Sequence, residues 1–471
     1  MPSDTCTFCL KDDPNKYLWV QCELCDQWVH VTCIPIKYLT SEVGDTMASY
    51  PKNSKEIKRY TCTRHGDPLL EVRQVGKKRK VENQEHADVV PKRHGLRRKK
   101  QVDYISLNEG EAKRLKNEHP HIPSFLACFA RWENKSNVMK SSDVERQFET
   151  INIPLKVEDP ENSGMQLPTG PDGQTLTVDA ITKFLGDESR VDVMDVQSQQ
   201  NSNWTMAQWN NYFTDSSPET RDRVRNVISL EVSHVDKFKK ELRRPRVVES
   251  KDLVNLVWDA IPNDTERPKV TKYILMSVEN AYTDFHLDFA GTSVYYKVVS
   301  GAKKFILFPP TAHNLDSYTA WCDSDHQNLI FLGDELEHGV AMELGAGDLF
   351  MIPCGYIHAV YTPKDSLIIG GNFLTLRDLE TQLQIVKIEQ RTKVPKKFTF
   401  PKFDAVMGKT SEWMLLHPEL IDNNSKQRQL ETLIAFLKDS KAKYKPVNFL
   451  SKKDLVKQLQ NEVTKLKADT N

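Results

Sequence analysis

The chain has 471 residues and carries 65 Lys and Arg against 65 Asp and Glu, so its formal charge is zero at neutral pH. Overall charge therefore points to no polyanionic or polycationic partner, and the length suits about two to four domains. No stretch approaches the roughly 18 apolar residues of a membrane span, and the polar, cysteine-bearing N-terminus is not expected to be a secretory signal.

Nine cysteines are spread unevenly: six precede residue 63, and Cys128, Cys322 and Cys354 follow. Clustered thiols in a reducing compartment point to metal rather than to disulfides. Cys6 and Cys9, Cys22 and Cys25, His30 and Cys33, and Cys62 and His65 form four pairs, each with two residues between its members. Zn2+ takes four N or S ligands tetrahedrally, and a short-spaced pair pre-assembles half a site, so eight ligands make two zinc sites. The order resembles a PHD finger, over residues 1–70. That resemblance implies a cross-braced pairing, with Cys6, Cys9, His30 and Cys33 on one ion and Cys22, Cys25, Cys62 and His65 on the other. The family usually ends in Cys; here the eighth position is His65, still a competent zinc ligand. So few apolar positions build little core, and the metals are expected to supply the folding energy. The resemblance also implies a methyl-lysine cage walled by Trp28, two residues before His30, and Trp19, three before Cys22. Two aromatic faces hold a methylated ammonium by cation–π attraction. Asp12 and Asp13 are acceptors for a basic peptide.

Residues 71–102 read as a basic, disordered linker. Lys77–Lys80 and Lys92–Lys100 supply ten Lys and Arg against three acids, a net +7, without apolar periodicity. Such clusters suit nuclear import or contacts with DNA phosphates.

A catalytic region is expected over 103–396. Tyr104 to Asn117 and Ile122 to Trp132 have helical spacing, and 134–173 is polar and proline-interrupted. Trp204, Trp209 and Tyr212 recur at roughly helical spacing and are expected in a core. Asn226 to Glu231 reads as an extended run. From Tyr273 to Phe373 about eight short strand-like runs alternate with turn signals such as Gly345-Ala346-Gly347-Asp348. That rhythm suits a double-stranded β-helix, a jelly roll of the cupin kind, with its core barrel over about 226–375.

Within it, His286 and Asp288 are two residues apart and share a face of an extended segment. His358 offers a second imidazole. Two His and one carboxylate on one side of a metal leave the opposite positions open, as in the facial triad of non-haem Fe(II) oxygenases. Lys303, Phe305 and Leu307 share one strand face, which points the ammonium into an apolar barrel. A buried ammonium is costly unless paired, and the distal carboxylate of 2-oxoglutarate is a fitting anion. Lys304 has the opposite parity and is expected in solvent.

Leu376 to Arg391, at the end of the catalytic region, and residues 397–471 after it read as helical. Leu379, Leu383, Val386 and Ile388, then Leu430, Leu433, Ile434 and Leu437, then Leu455, Leu459, Val463 and Leu466 recur near helix spacing, and such stripes face a core. These helices are expected to pack on the barrel, in a monomer.

Tyr282 to Pro310 with Ile352 to Phe373 resembles a JmjC domain. Together with Asn226 to Glu231 and Gly370 to Leu374 it resembles the histone demethylase 1 branch, PHD finger included. The resemblance implies that Asn226, Thr283 and Tyr296 join Lys303 around 2-oxoglutarate. It implies a nuclear enzyme that acts on the histone H3 tail of the nucleosome, at mono- or dimethylated lysine 36, while the finger reads a histone tail. Hydroxylation of an N-methyl group releases formaldehyde and succinate. Two other readings stand beside it: a 2-oxoglutarate-dependent protein hydroxylase on the same fold, and a chromatin adaptor with an inactive barrel.

Overall fold

The computed structural model describes residues 6, 18–25, 27–41, 50–51, 57–65, 68–72, 119–215, 221–261, 266–421 and 423–469. Cys9, Asp12, Asp13, the basic clusters of the linker and the helix expected over 104–117 lie outside the described residues. The chain divides into two compact units between Pro91 and Lys92.

The first unit is a small β structure. β1 (Trp19–Gln21) and β2 (Trp28–His30) pair antiparallel. β5 (Leu69–Val72) lies between β3 (Leu39–Ser41), which is parallel to it, and β4 (Ile57–Thr61), which is antiparallel. Val29, Val31, Ile34, Leu39, Tyr60 and Leu70 are fully buried. This is a thin core for a folded unit.

The second unit is organised by one eleven-stranded sheet bent into two layers. Its axis is a pair of long strands, β13 (Ser293–Phe308) and β16 (Ile357–Phe373). The first half of β13 pairs with β15 (Leu349–Ile352) and with the last residues of β16. Its second half pairs with β14 (Val340–Gly345) and the first residues of β16. Each long strand thus crosses from one layer to the other, with register breaks between Val298 and Lys304. Gly301 sits in that bend at φ 79°, and a Cβ there would lie 2.0 Å from Asp365 O, so only glycine fits. This is why about eight short runs in the sequence become six strands: two pairs of runs are each one strand bent at its middle. β6 (Val138–Met139) and β7 (Leu155–Val157) extend the sheet at one edge. β11 (Tyr273–Ser277), β10 (Arg225–Glu231), β8 (Arg190–Asp195) and β9 (Gln200–Thr205) extend it at the other. β12 (Tyr282–His286) pairs with the first half of β16. Trp209 and Tyr212 are buried on the helix Met206–Asp215, whereas Trp204 belongs to β9.

Helix α1 (Ile122–Trp132) buries Ile122, Phe125, Cys128 and Phe129 against Tyr282, Phe285, Ile306 and Phe308. A second group of helices comprises α2 (Leu253–Val257), α3 (Leu379–Arg391), α4 (Phe403–Leu416), α5 (Asn423–Lys438) and α6 (Lys452–Asp469). α4 to α6 share a core with α2 and α3, built on Val257, Val406, Met407, Leu433 and Leu459, which reaches the barrel at Ala290 and Leu374. The C-terminal helices therefore support the barrel largely through α2 and α3. Helix α4 went unread in the sequence because its buried side includes Lys409, Thr410, Ser411 and Glu412. Glu412 accepts from the Val447 and Asn448 amides at 2.8 Å each, from Asn448 Nδ2 at 2.9 Å and from Tyr444 OH at 2.5 Å.

Candidate metal centre and co-substrate pocket

In the barrel, register brings the three iron-ligand candidates together. His286 on β12 lies directly opposite His358 on β16, and their ring centroids are 4.2 Å apart. Asp288 follows in extended backbone (φ −62°, ψ 147°) just beyond the strand. The ligand atoms of His286, Asp288 and His358 lie within 4.8 Å of one another.

Each ring is oriented from behind. His286 Nδ1 meets Asp284 O at 2.8 Å, and His358 Nδ1 meets Tyr356 O at 3.0 Å. A carbonyl accepts, so each Nδ1 carries the proton and each Nε2 keeps its lone pair. His358 Nε2 is buried without a hydrogen-bond partner and lies 3.9 Å from Asp288 Oδ2. That is too far for a hydrogen bond and close enough for one ion between them. Burial pushes the His358 imidazole down to about 4, so it is neutral, the state a metal requires. Burial also pushes the Asp288 carboxyl up, and Asn372 Nδ2 donates to its Oδ1 at 3.2 Å. The donor set and the orphaned nitrogen fit a divalent ion such as Fe(II).

A hydrogen-bonded chain runs beside the triad. Lys303 is buried, and its Nζ donates to Ser277 Oγ at 2.6 Å and to Thr362 Oγ1 at 2.8 Å. Ser277 Oγ in turn donates to Asn226 Oδ1 at 2.6 Å, and Asn226 Nδ2 to Thr283 Oγ1 at 3.3 Å. Three of the residues assigned to 2-oxoglutarate are thus linked in one network. The fourth, Tyr296, packs on Phe305 at 5.6 Å, and its hydroxyl is raised by burial and by the Asp288 charge. Among the described residues the hydrogen-bond partners of Lys303 are neutral hydroxyls, and burial alone pushes its ammonium down to about 7. A cation this deep calls for an anion.

One feature of β12 was not legible in the sequence. Thr283 and His286 differ by three, so on a regular strand they would face opposite sides. The pairing slips by one residue between them, and this bulge turns both into the barrel. Tyr282 and Asp284 face the other way, where His119 and His121 lie. The nitrogens of those two imidazoles and an Asp284 oxygen also lie within 4.8 Å of one another. Their bonds there are those of a scaffold: Asp284 Oδ1 accepts Tyr282 OH and the Phe285 amide, and His119 Nδ1 accepts the His121 amide. Ser277, Thr362 and Asn372 were missed as well, because a lone hydroxyl or amide near a strand end carries no spacing signal. Lys304 differs from its expected place in solvent. It pairs with Glu343 at 3.0 Å and lies 4.5 Å from the Phe129 ring centroid, because α1 covers that face of β13.

In the finger, Cys22, Cys25, Cys62 and His65 form one group, and Cys6, His30 and Cys33 another. Cys25 Sγ and Cys62 Sγ are 3.6 Å apart. A disulfide would need about 2.05 Å; two thiolates on one tetrahedral zinc, at roughly 2.3 Å each, would sit near this distance. The Cys62 amide donates to Cys22 Sγ and the His30 amide to Cys6 Sγ, both at 3.3 Å. The β1–β2 register pairs Trp19 with His30 and Gln21 with Trp28, so both tryptophans project from one face of the ribbon. The Trp19 ring meets His30 edge-on at 4.0 Å.

Comparison with known proteins agrees with this architecture. Residues 5–66 match the JHD1 PHD-type zinc finger model, 70–374 the cupin-like domain model, and 404–462 the JHD1 C-terminal domain model. The chain is 53% identical to the JmjC domain-containing histone demethylation protein 1 of Kluyveromyces lactis, over 98% of each chain. It is 50% identical to the Saccharomyces cerevisiae protein of that name, over 98% of this chain and 99% of the relative. The chain belongs to the JmjC domain-containing histone demethylation protein 1 family. It carries a PHD finger, a cupin barrel and a C-terminal helical region. Among the described residues no helix is long and apolar enough to cross a membrane.

Proposed function

We propose that this chain is an Fe(II)- and 2-oxoglutarate-dependent histone lysine demethylase, acting in the nucleus on mono- and dimethylated lysine 36 of histone H3. The observation that carries the reading is Lys303: a buried ammonium, bonded to hydroxyls, in the same barrel as an open two-His, one-carboxylate cluster. His286, Asp288 and His358 would hold the iron. Lys303, Asn226, Thr283 and Tyr296 would hold 2-oxoglutarate. The bound pair would, with O2, hydroxylate an N-methyl group as 2-oxoglutarate is converted to succinate and CO2, and the hemiaminal would collapse to formaldehyde and the amine.

The chain's own residues bind and orient. Lys303 neutralises the distal carboxylate, and Ser277 and Thr362 keep the ammonium aimed. The Asp284 and Tyr356 carbonyls fix which nitrogen each imidazole presents. Phe305 and Phe350 pack beside the site and exclude water. Two Zn2+ would hold the finger, one on Cys6, His30 and Cys33 with Cys9 as the fourth ligand that the spacing suggests, the other on Cys22, Cys25, Cys62 and His65. Trp19 and Trp28 would offer aromatic faces to a methylated histone tail, and the lysines and arginines of the basic linker would suit contacts with DNA phosphates. The family's name, histone demethylation protein 1, supports the substrate class.

The test uses purified protein with Fe(II), ascorbate, 2-oxoglutarate and a panel of methylated histone H3 peptides. The lysine-36 peptide should lose mass in steps of one CH2, with one formaldehyde released per step. Oxygen added to a peptide without formaldehyde would instead mean a hydroxylase. No change, with iron confirmed in the barrel and nucleosomes also tried, would mean an adaptor.

A further inference from the structure

The segment that carries Asp288 is held from outside the site by helix α3. Asp288 opens a tight turn, Phe289–Gly291, in which the Gly291 amide donates to Asp288 O at 2.9 Å. Ala290 in this turn has left-handed backbone, φ 51° and ψ 23°. Glycine adopts that conformation freely, whereas alanine does so against its own Cβ. The turn is therefore strained at the residue two beyond a candidate ligand, and a specific contact secures it. Glu389 Oε1 accepts the Ala290 amide at 2.7 Å, a short bond. Four residues earlier on the same helix, Ile385 closes on Gly291 so tightly that a Cβ there would lie 2.4 Å from Ile385 Cδ1. Glu389 itself is partly buried, and burial raises its carboxyl to about 7. A carboxylate is an expensive group to place there for packing alone.

We propose that Glu389 is a positioning residue for Asp288: it clamps the left-handed turn through the Ala290 amide and so sets how tightly the barrel holds its ion. The inference rests on the reading of His286, Asp288 and His358 as ligands. It gives the C-terminal region a role in the site, because α3 packs on α5 and shares the core of α4 to α6.

The test is a titration of the full-length, zinc-loaded protein with Mn2+, read from loss of the free-ion electron paramagnetic resonance signal. Mn2+ suits N and O ligands, and the finger's thiolates disfavour it. Glu389→Ala should weaken Mn2+ binding by roughly tenfold, the lower end for residues that orient a ligand. Glu389→Gln keeps an acceptor oxygen and should stay near wild type. Adding Ala290→Gly to Glu389→Ala should recover most of the loss, since glycine needs no clamp. That double variant also covers the case in which Glu389→Ala alone fails to fold. A merely structural role would lower the melting temperature of Glu389→Ala and leave its affinity unchanged. Wild-type affinity in Glu389→Ala, or no recovery with Ala290→Gly, overturns the proposal. Absent Mn2+ uptake by wild type, with His286→Ala no different, overturns the triad reading and this proposal with it.

Discussion

Cys22 and Cys25 in the finger, and His286 and Asp288 in the barrel, are both short-spaced pairs of candidate ligands, yet they sit in opposite kinds of structure. Around the first pair there is little else to hold the chain: strands of three to five residues and a core of a few aliphatic side chains. Around the second, two strands of 16 and 17 residues and several buried clusters fix the backbone before any ion is considered. On the proposed ligand sets, metal builds the finger, whereas the barrel builds its metal site. A closed site and an open one follow from the same difference. Four ligands in the finger leave a zinc ion nothing further to bind, while three in the barrel leave room for a co-substrate and oxygen.

The strongest way to break this comparison is to remove metal. A strong chelator should unfold the finger, whose zinc binding represents about 10 kcal/mol or more of folding free energy, and leave the barrel's melting transition in place. Calorimetry on the full chain, with and without chelator, reads both units. A barrel that melts with the finger would show that the contrast is false. Replacing one barrel ligand is the complementary move. His286→Ala should abolish formaldehyde release while the barrel stays folded and histone-peptide binding by the finger is unchanged. Retained turnover in that variant would sink the ligand assignment.

The two regions also differed in how much the sequence disclosed. Finger ligands are written as spacing, because short local pairs need no fold to bring their members together. Which pair joins which followed only from resemblance to a family, and the structure groups Cys6 with His30 and Cys33, and Cys22 and Cys25 with Cys62 and His65. The barrel's His286 and Asp288 were readable as a pair, and the inward side of Lys303 followed from alternation. The supporting residues were not readable. Ser277 and Thr362 meet Lys303 only because β11, β13 and β16 are neighbours in the sheet. The bulge at Asp284 and Phe285, which turns Thr283 and His286 to one side, has no composition of its own. Helix α4 hid for a different reason: its buried Lys409 and Glu412 mimic a solvated face.

Lys303 sharpens the comparison on the barrel side. Its charge is buried and awaits an anion, so Lys303→Ala should raise the 2-oxoglutarate dissociation constant by roughly two to four orders of magnitude, from the roughly 3–5 kcal/mol for breaking a buried ion pair. The pH dependence follows from the lowered ammonium at about 7. Below that pH Lys303 is charged before the dicarboxylate arrives. Above it, binding must take up a proton, so affinity should fall by up to about tenfold per pH unit from 7 towards 9. Titration calorimetry in two buffers of different ionisation enthalpy would count that proton. Affinity flat across this range would refute the anion role of Lys303.

The smallest effect is expected at His65, where the finger departs from its family's usual final cysteine. His65 is exposed, while Cys22 and Cys62 are buried. Imidazole and thiolate both complete a tetrahedral zinc site, at roughly 2.0–2.1 and 2.3 Å. His65→Cys should therefore leave two zinc ions per finger and an unchanged melting transition, because the fourth ligand is replaced rather than lost. His65→Ala should open the site and weaken the second zinc, seen as loss of one metal on dialysis against a weak chelator. If His65→Ala kept both ions as firmly as wild type, the second site would be closed by some other group. If His65→Cys lost zinc, the imidazole would be doing something a thiolate cannot, and the finger's closed geometry would depend on more than ligand count.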